Sequence, residues 1–208
     1  MSDPDWLEWA REVQAIAQTG LAFKPQQYDR ERYEALQALA ARMMAARSDT
    51  PASRIEGLFG AQTGYATPKV DVRGAVFDGA RLLLVREVSD KGRWTLPGGW
   101  ADVNVTAAEN VVREVAEESG FQVKVTKLAA VWDRTRQGHT PQPLSAYKLF
   151  FLCTITGGAA AVSHETSEVA FFAENDLPTD LSLERITAAQ LRRMFEHARN
   201  PELPTEYD

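Results

Sequence analysis

Apolar residues near the start of the chain recur at three- and four-residue steps: Trp6, Trp9, Val13, Ile16 and Ala17. This spacing predicts an amphipathic helix that ends near Gly20, with Asp3 and Asp5 placed to complement its N-terminus. A second stripe, Tyr33, Leu36, Leu39, Ala40 and Met43, predicts another helix from about Asp29 to about Arg47. Two short helices cannot bury their own apolar faces, so they must pack on each other and on either the rest of the chain or a second copy of it. Beyond Asp49 the periodicity stops. Pro51, Gly57, Gly60, Gly64 and Pro68 are turn and breaker residues, and only Ile55, Leu58 and Phe59 offer strong apolar anchors. A domain boundary is expected near residue 66.

From Lys69 the period changes to two. Val70, Val72 and Val76 alternate with Asp71, Arg73 and Phe77, and Asp78-Gly79 marks a tight hairpin before the run Leu82 to Val85. Phe121, Val123 and Val125 form another alternating segment after a strongly helical stretch. Further strands are expected at 129–132, 147–156 and 169–172, and a last helix carries Leu183, Ile186, Leu191, Met194 and Phe195. Strands on both sides of one central helix, with a helix at the end, predict an α+β fold with a mixed sheet between helical layers.

Composition changes this picture little. Of 208 residues, 44% are hydrophobic and 25% charged, as in an ordinary soluble globular chain. No apolar run approaches the roughly 20 residues that span a bilayer. The acidic start, Met-Ser-Asp-Pro-Asp, lacks the basic and apolar regions of a leader, so the expected location is cytoplasmic. Cys153 lies in an apolar run and reads as a small buried hydrophobe. A formal net charge of −6 argues against a general nucleic-acid binder but leaves room for phosphates held locally or through a metal.

The chemistry concentrates between Gly98 and Phe121. Thr106 and Glu109 have capping-box spacing, so a helix starts there, and Gly120 is suited to close it in the left-handed conformation. Within that helix Glu114, Glu117 and Glu118 stand at i, i+3 and i+4, which puts three carboxylates on one face. Like charges so spaced repel unless cations neutralise them, and oxygen-only donors favour Mg²⁺ or Mn²⁺ over zinc. Taken alone, the same glutamates also describe an ordinary solvated helix face.

The whole window, with Gly99, Arg113, Glu114, Val115, Glu117, Glu118, Gly120 and Phe121 in register, closely resembles the Nudix box of the Nudix hydrolase family. The preceding Arg93-Trp-Thr-Leu-Pro-Gly-Gly99 looks like the strand and turn that lead into it. One position departs: Val105 stands where the pattern has its first glutamate, and altered loop support is expected more than loss of a metal ligand. The resemblance implies an α/β/α sandwich over residues 67–208, behind a dimerising helical domain over residues 1–66. It also implies metal-dependent hydrolysis of a nucleoside diphosphate linked to another group. The phrases Gly-Gly-Trp-Ala-Asp-Val-Asn and Arg-Glu-Val-Ala-Glu-Glu-Ser-Gly-Phe are similar to those of bacterial CDP-choline and ADP-ribose pyrophosphatases, with CDP-choline slightly preferred.

By the same resemblance, Glu114, Glu117 and Glu118 hold the Mg²⁺ or Mn²⁺, Gly98 or Gly99 offers a backbone carbonyl, and Arg113 orients the carboxylates. Catalytic roles thus fall to Arg113, Glu118 and a carboxylate outside the box, Glu165 or Glu168, with Glu165 preferred. Arg86, at the end of a strand, is placed to contact phosphate or to make a surface salt bridge. Trp132 could stack on a base or belong to the core, as could Tyr147. His139 sits in a polar loop, 134–143, expected to be solvated or to close over substrate. Two other functions share the features: a Nudix-fold nucleotide sensor without turnover, and RNA processing at the same metal centre. The segment after the last strand leaves no room for a winged-helix DNA reader, and the acidic balance disfavours RNA.

Overall fold

The computed structural model describes residues 3–208. The chain divides into two compact units, one reaching to Lys69 and including Pro141–Ser145, the other made of Val70–Thr140 and Ala146–Asp208.

In the first unit, helices α1 (Asp5–Ala22) and α2 (Gln27–Ala45) form as the apolar stripes require. Leu7 and Ala10 of α1 meet Ala40, Ala41 and Met44 of α2 in a small core. The segment expected to be a linker contains a third helix, α3 (Ala52–Gly60). Pro51 caps its start rather than breaking it, because the N–H that proline lacks would have no partner in a first turn. A side chain added at Gly57 or Gly60 would meet nothing, so both glycines lie on the outer surface while Ile55 and Phe59 are buried. Arg11, itself buried, pairs with Asp3 at 2.6 Å and donates to the Gln142 carbonyl.

The second unit holds a seven-stranded mixed sheet. Its strands are β1 (Lys69–Asp78), β2 (Arg81–Glu87), β3 (Arg93–Thr95), β4 (Phe121–Asp133), β5 (Ala146–Gly158), β6 (Thr166–Ala173) and β7 (Glu206–Tyr207). The order is β3-β2-β1-β5-β4-β7, with β6 on β2, and β7 runs parallel to β4. Gly79, at φ 58°, turns the β1–β2 hairpin. Helix α4 (Ala107–Ser119) covers one face through Val111 and Val115 against Val72, Val76 and Phe151. Helix α5 (Ala188–Arg199) covers the other through Leu191, Met194 and Phe195 against Ala75, Leu84 and Phe150. The result is the expected α/β/α sandwich.

Two expected strands, around Phe121 and around Ala129, are one long β4. Its register on β5 shifts at three places, and each extra residue inverts the inside–outside alternation. The chain therefore loses its period without leaving the sheet. Leu183 and Ile186 precede α5 rather than belonging to it, since the helix is capped by Thr187 with Gln190.

Candidate active site

Thr106 and Glu109 form the capping box that starts α4: the Thr106 Oγ1 accepts from the Glu109 N–H at 3.2 Å, and the Glu109 Oε2 accepts from the Thr106 N–H at 3.0 Å. Gly120 closes the helix at φ 76°, where an added Cβ would lie 2.4 Å from the Ala159 carbonyl oxygen. Ahead of the helix, the loop from Pro97 to Ala101 is laced to β1 by Gly74 N–H to Pro97 O, Val72 N–H to Gly99 O and Ala101 N–H to Val70 O, all at 2.8–2.9 Å. Gly98 has φ 140°, and a Cβ there would sit 2.0 Å from the Val72 carbonyl oxygen, so only glycine fits.

The loop and the end of the helix meet at Glu118. This carboxylate is only 5% exposed, and its Oε2 accepts from the Gly98 N–H at 3.0 Å. Burial pushes its pKa up to about 8; Arg73 and the Gly98 N–H oppose the rise, and Glu114 adds to it. Glu114 accepts from Arg113 Nη2 at 3.0 Å, and burial raises its pKa as well. Its other oxygen lies where a Cβ on Gly99 would come within 3.1 Å, so the second glycine of the pair gives this carboxylate room. Arg113 also reaches Asp102 at 2.6 Å and Asn110 at 2.7 Å, tying the loop to the helix. Glu117 is exposed, with its carboxylate 3.9 Å from Arg113 Nε. Val105 stands exposed just before the cap, and the capping box forms without a carboxylate there.

The three glutamates share a helix face, yet among the described residues no three His, Cys, Asp or Glu side chains are gathered into a grouping able to hold a metal ion. Glu118 instead accepts from the Gly98 N–H, and Glu114 and Glu117 face Arg113 at 3.0 and 3.9 Å. The donor chemistry nonetheless fits a hard divalent cation. Two all-oxygen ligands are partly or wholly desolvated, their charged forms disfavoured, and a cation would neutralise both.

The remaining candidates separate. Glu165 is exposed beside His164; its carbonyl accepts from the Val88 N–H at 2.8 Å, and the next residue, Thr166, donates its hydroxyl to the Glu118 carbonyl at 2.7 Å. The loop carrying Glu165 is thereby fixed to the end of α4. Arg86 lies between Glu168 and Asp180, both at 3.2 Å, with its guanidinium 5.0 Å from the Trp94 ring centre. It is the salt-bridge reading of Arg86 that the geometry carries, because a phosphate would have to displace two carboxylates. Trp132 is not a stacking platform: it is 5% exposed and packs on Phe150 with ring centres 5.1 Å apart, as an aromatic on an inward strand position does. Nor is His139 solvated. It is buried, with Nδ1 3.0 Å from the Leu183 carbonyl oxygen, and burial together with Lys148 lowers its pKa to about 3.

One cluster has no counterpart in the sequence reading. Asp71 and Arg73 of β1 and Lys148 of β5 are all buried, and both cations donate to the Asp71 carboxylate, Arg73 through Nε and Nη2 at 2.9 and 2.8 Å and Lys148 through Nζ at 2.6 Å. Burial would raise the Asp71 pKa, but the two cations hold it down at about 2. The only hint was charge at alternate positions of a strand whose other face is valine.

Residues 67–195 match the NUDIX domain, and residues 4–59 match a domain described as UDP-X-like, N-terminal oligomerisation domain. YjhB of Bacillus subtilis (strain 168), which carries the provisional name ADP-ribose pyrophosphatase, is 46% identical over 203 residues, covering 98% of this chain and 97% of its own. A crystal structure of a UDP-X diphosphatase is 32% identical with a TM-score of 0.62 at full coverage of both chains. An ADP-ribose pyrophosphatase from Streptococcus suis 89-1591 is 38% identical, with a TM-score of 0.61, over 68% of this chain and 100% of that one. With the box geometry in place and the match running through both units, the chain belongs to the Nudix family of pyrophosphohydrolases.

Proposed function

We propose that this protein hydrolyses the pyrophosphate of a nucleoside diphosphate linked to a sugar or similar group, using Mg²⁺ or Mn²⁺ held by Glu114, Glu117 and Glu118. The observation that carries this reading is Glu118, a buried carboxylate aimed at the glycine loop and lacking a full counter-charge. A bound divalent ion would neutralise the diphosphate oxygens and lower the pKa of an attacking water. Glu114, Glu117 and Glu118 would supply the oxygen donors, and Arg113 keeps Glu114 and the Asp102 loop in place. The Gly99 carbonyl is taken by the Val72 N–H, which favours Gly98 for any carbonyl contribution. Glu165, on a loop fixed to Glu118 through Thr166, is the proposed base.

On substrate, the names of the relatives shift the emphasis from CDP-choline toward ADP-ribose and UDP-linked compounds. Two domains with a boundary near residue 66 are supported by the separate matches and by the helical core of the first unit. A homodimer through that domain is supported by its described type and by the exposure of Trp9 and Ile16 on α1 and of Phe23 at its C-terminal cap. Among the described residues no helix is long and apolar enough to cross a membrane. Steady-state kcat/KM for ADP-ribose, a UDP-sugar, CDP-choline and nucleoside triphosphates tests the reading. A diphosphate-linked compound should rank first; a triphosphate ahead by more than about tenfold, near 1.4 kcal/mol in transition-state binding, would overturn it.

A further inference from the structure

The buried trio on β1 and β5 is oriented toward the carboxylate site. Arg73 is 3% exposed, and each of its three nitrogens is committed: Nε and Nη2 to Asp71, and Nη1 to the Leu96 carbonyl at 3.0 Å. Leu96 stands two residues before Gly98, whose N–H holds Glu118. Lys148 donates to Asp71 Oδ1, the oxygen that also accepts from Arg73 Nε, and so holds the carboxylate that grips the Arg73 fork. Lysine in place of Arg73 could not make these contacts together, because a bidentate grip on a carboxylate and a third, separately aimed bond need a planar guanidinium.

Stability does not account for the trio. Desolvating three charges is costly, and well-packed apolar residues in such places are commonly as stable or more so. What apolar residues could not do is place a fixed positive charge near Glu118 and Glu87 while holding the Leu96 carbonyl.

We propose that Arg73 is a positioning residue for the carboxylate site: buttressed by Asp71 and Lys148, it anchors the turn at Leu96 so that the Gly98 N–H presents Glu118 for divalent-cation binding. The inference rests on the metal-dependent reading above and goes beyond it in assigning a function to a residue outside the box.

The test is Mn²⁺ affinity of the full-length protein, measured by electron paramagnetic resonance of free Mn²⁺ without substrate. Arg73→Lys should weaken binding at least about tenfold. Leu191→Ala, which opens a cavity in the α5 core, serves as a destabilised control and should bind within about twofold of wild type. Binding by folded Arg73→Lys within about threefold of wild type would overturn the proposal, as would an equal loss in Leu191→Ala. If Arg73→Lys does not fold, Asp71→Asn, which loosens the fork, should still lose at least about threefold, and unchanged affinity there would overturn it. Failure of the functional reading is distinct, since it appears as wild-type protein that binds no Mn²⁺.

Discussion

The backbone N–H of Gly98 donates to the Glu118 carboxylate across twenty residues, joining the loop before α4 to the last turn of that helix. The bond depends on a backbone shape that only glycine accepts, and on a carboxylate whose charge burial disfavours. Loop and helix therefore constrain each other, and damage to either should register at both.

Gly98→Ala forces a Cβ into the Val72 carbonyl. It should destabilise the protein by more than ~1 kcal/mol in urea unfolding, beyond the ordinary glycine-to-alanine effect, and abolish turnover. Gly57→Ala, where an added methyl meets nothing, should be neutral or slightly stabilising. Equal behaviour of the two variants would contradict the loop geometry.

A reader of the sequence could find this loop because its constraints are local. A cap, three acids on one turn and a closing glycine lie within a few residues of each other, so spacing alone exposes them. Asp71, Arg73 and Lys148 are different: Lys148 sits 77 positions from Asp71 in the chain, and only the placing of β5 beside β1 brings them together. Trp132 shows the converse. An aromatic on a strand has two faces to choose from, and the three register shifts of β4 hide which one it takes. Helix α3 was hidden because its proline and glycines read as breakers when they are a start and an outer face.

His139 gives a pH signature that does not involve the box glutamates. Its folded pKa, about 3, lies below the ordinary value of 6.5, so the unfolded chain binds a proton first as pH falls. Its contribution to stability is intact above about pH 6.5 and is lost on acidification toward pH 3, by at most about 1.4 kcal/mol per pH unit. Denaturation midpoints from pH 7 to pH 4 should fall more steeply for wild type than for His139→Gln. Parallel curves would contradict the buried neutral imidazole.

The exposed face of α1 gives a test of assembly. Trp9→Glu with Ile16→Glu should convert a dimer to monomer in sedimentation velocity, because a carboxylate buried in an apolar interface has no partner. A wild-type protein that sediments as monomer at micromolar concentration, or a double variant that remains dimeric, would count against that interface.

Glu118→Gln keeps a group that can accept from the Gly98 N–H while removing the charge. Its effect on ADP-ribose hydrolysis in the presence of Mg²⁺ or Mn²⁺ bears most directly on the central claim, that the loop and helix together form a metal-dependent pyrophosphohydrolase site. The account predicts a folded variant with kcat reduced at least ~10²-fold, on the scale of losing one electrostatic stabiliser, and wild-type activity abolished by chelator. Glu118→Gln turning over at the wild-type rate, or wild-type hydrolysis undiminished by chelator, would contradict it.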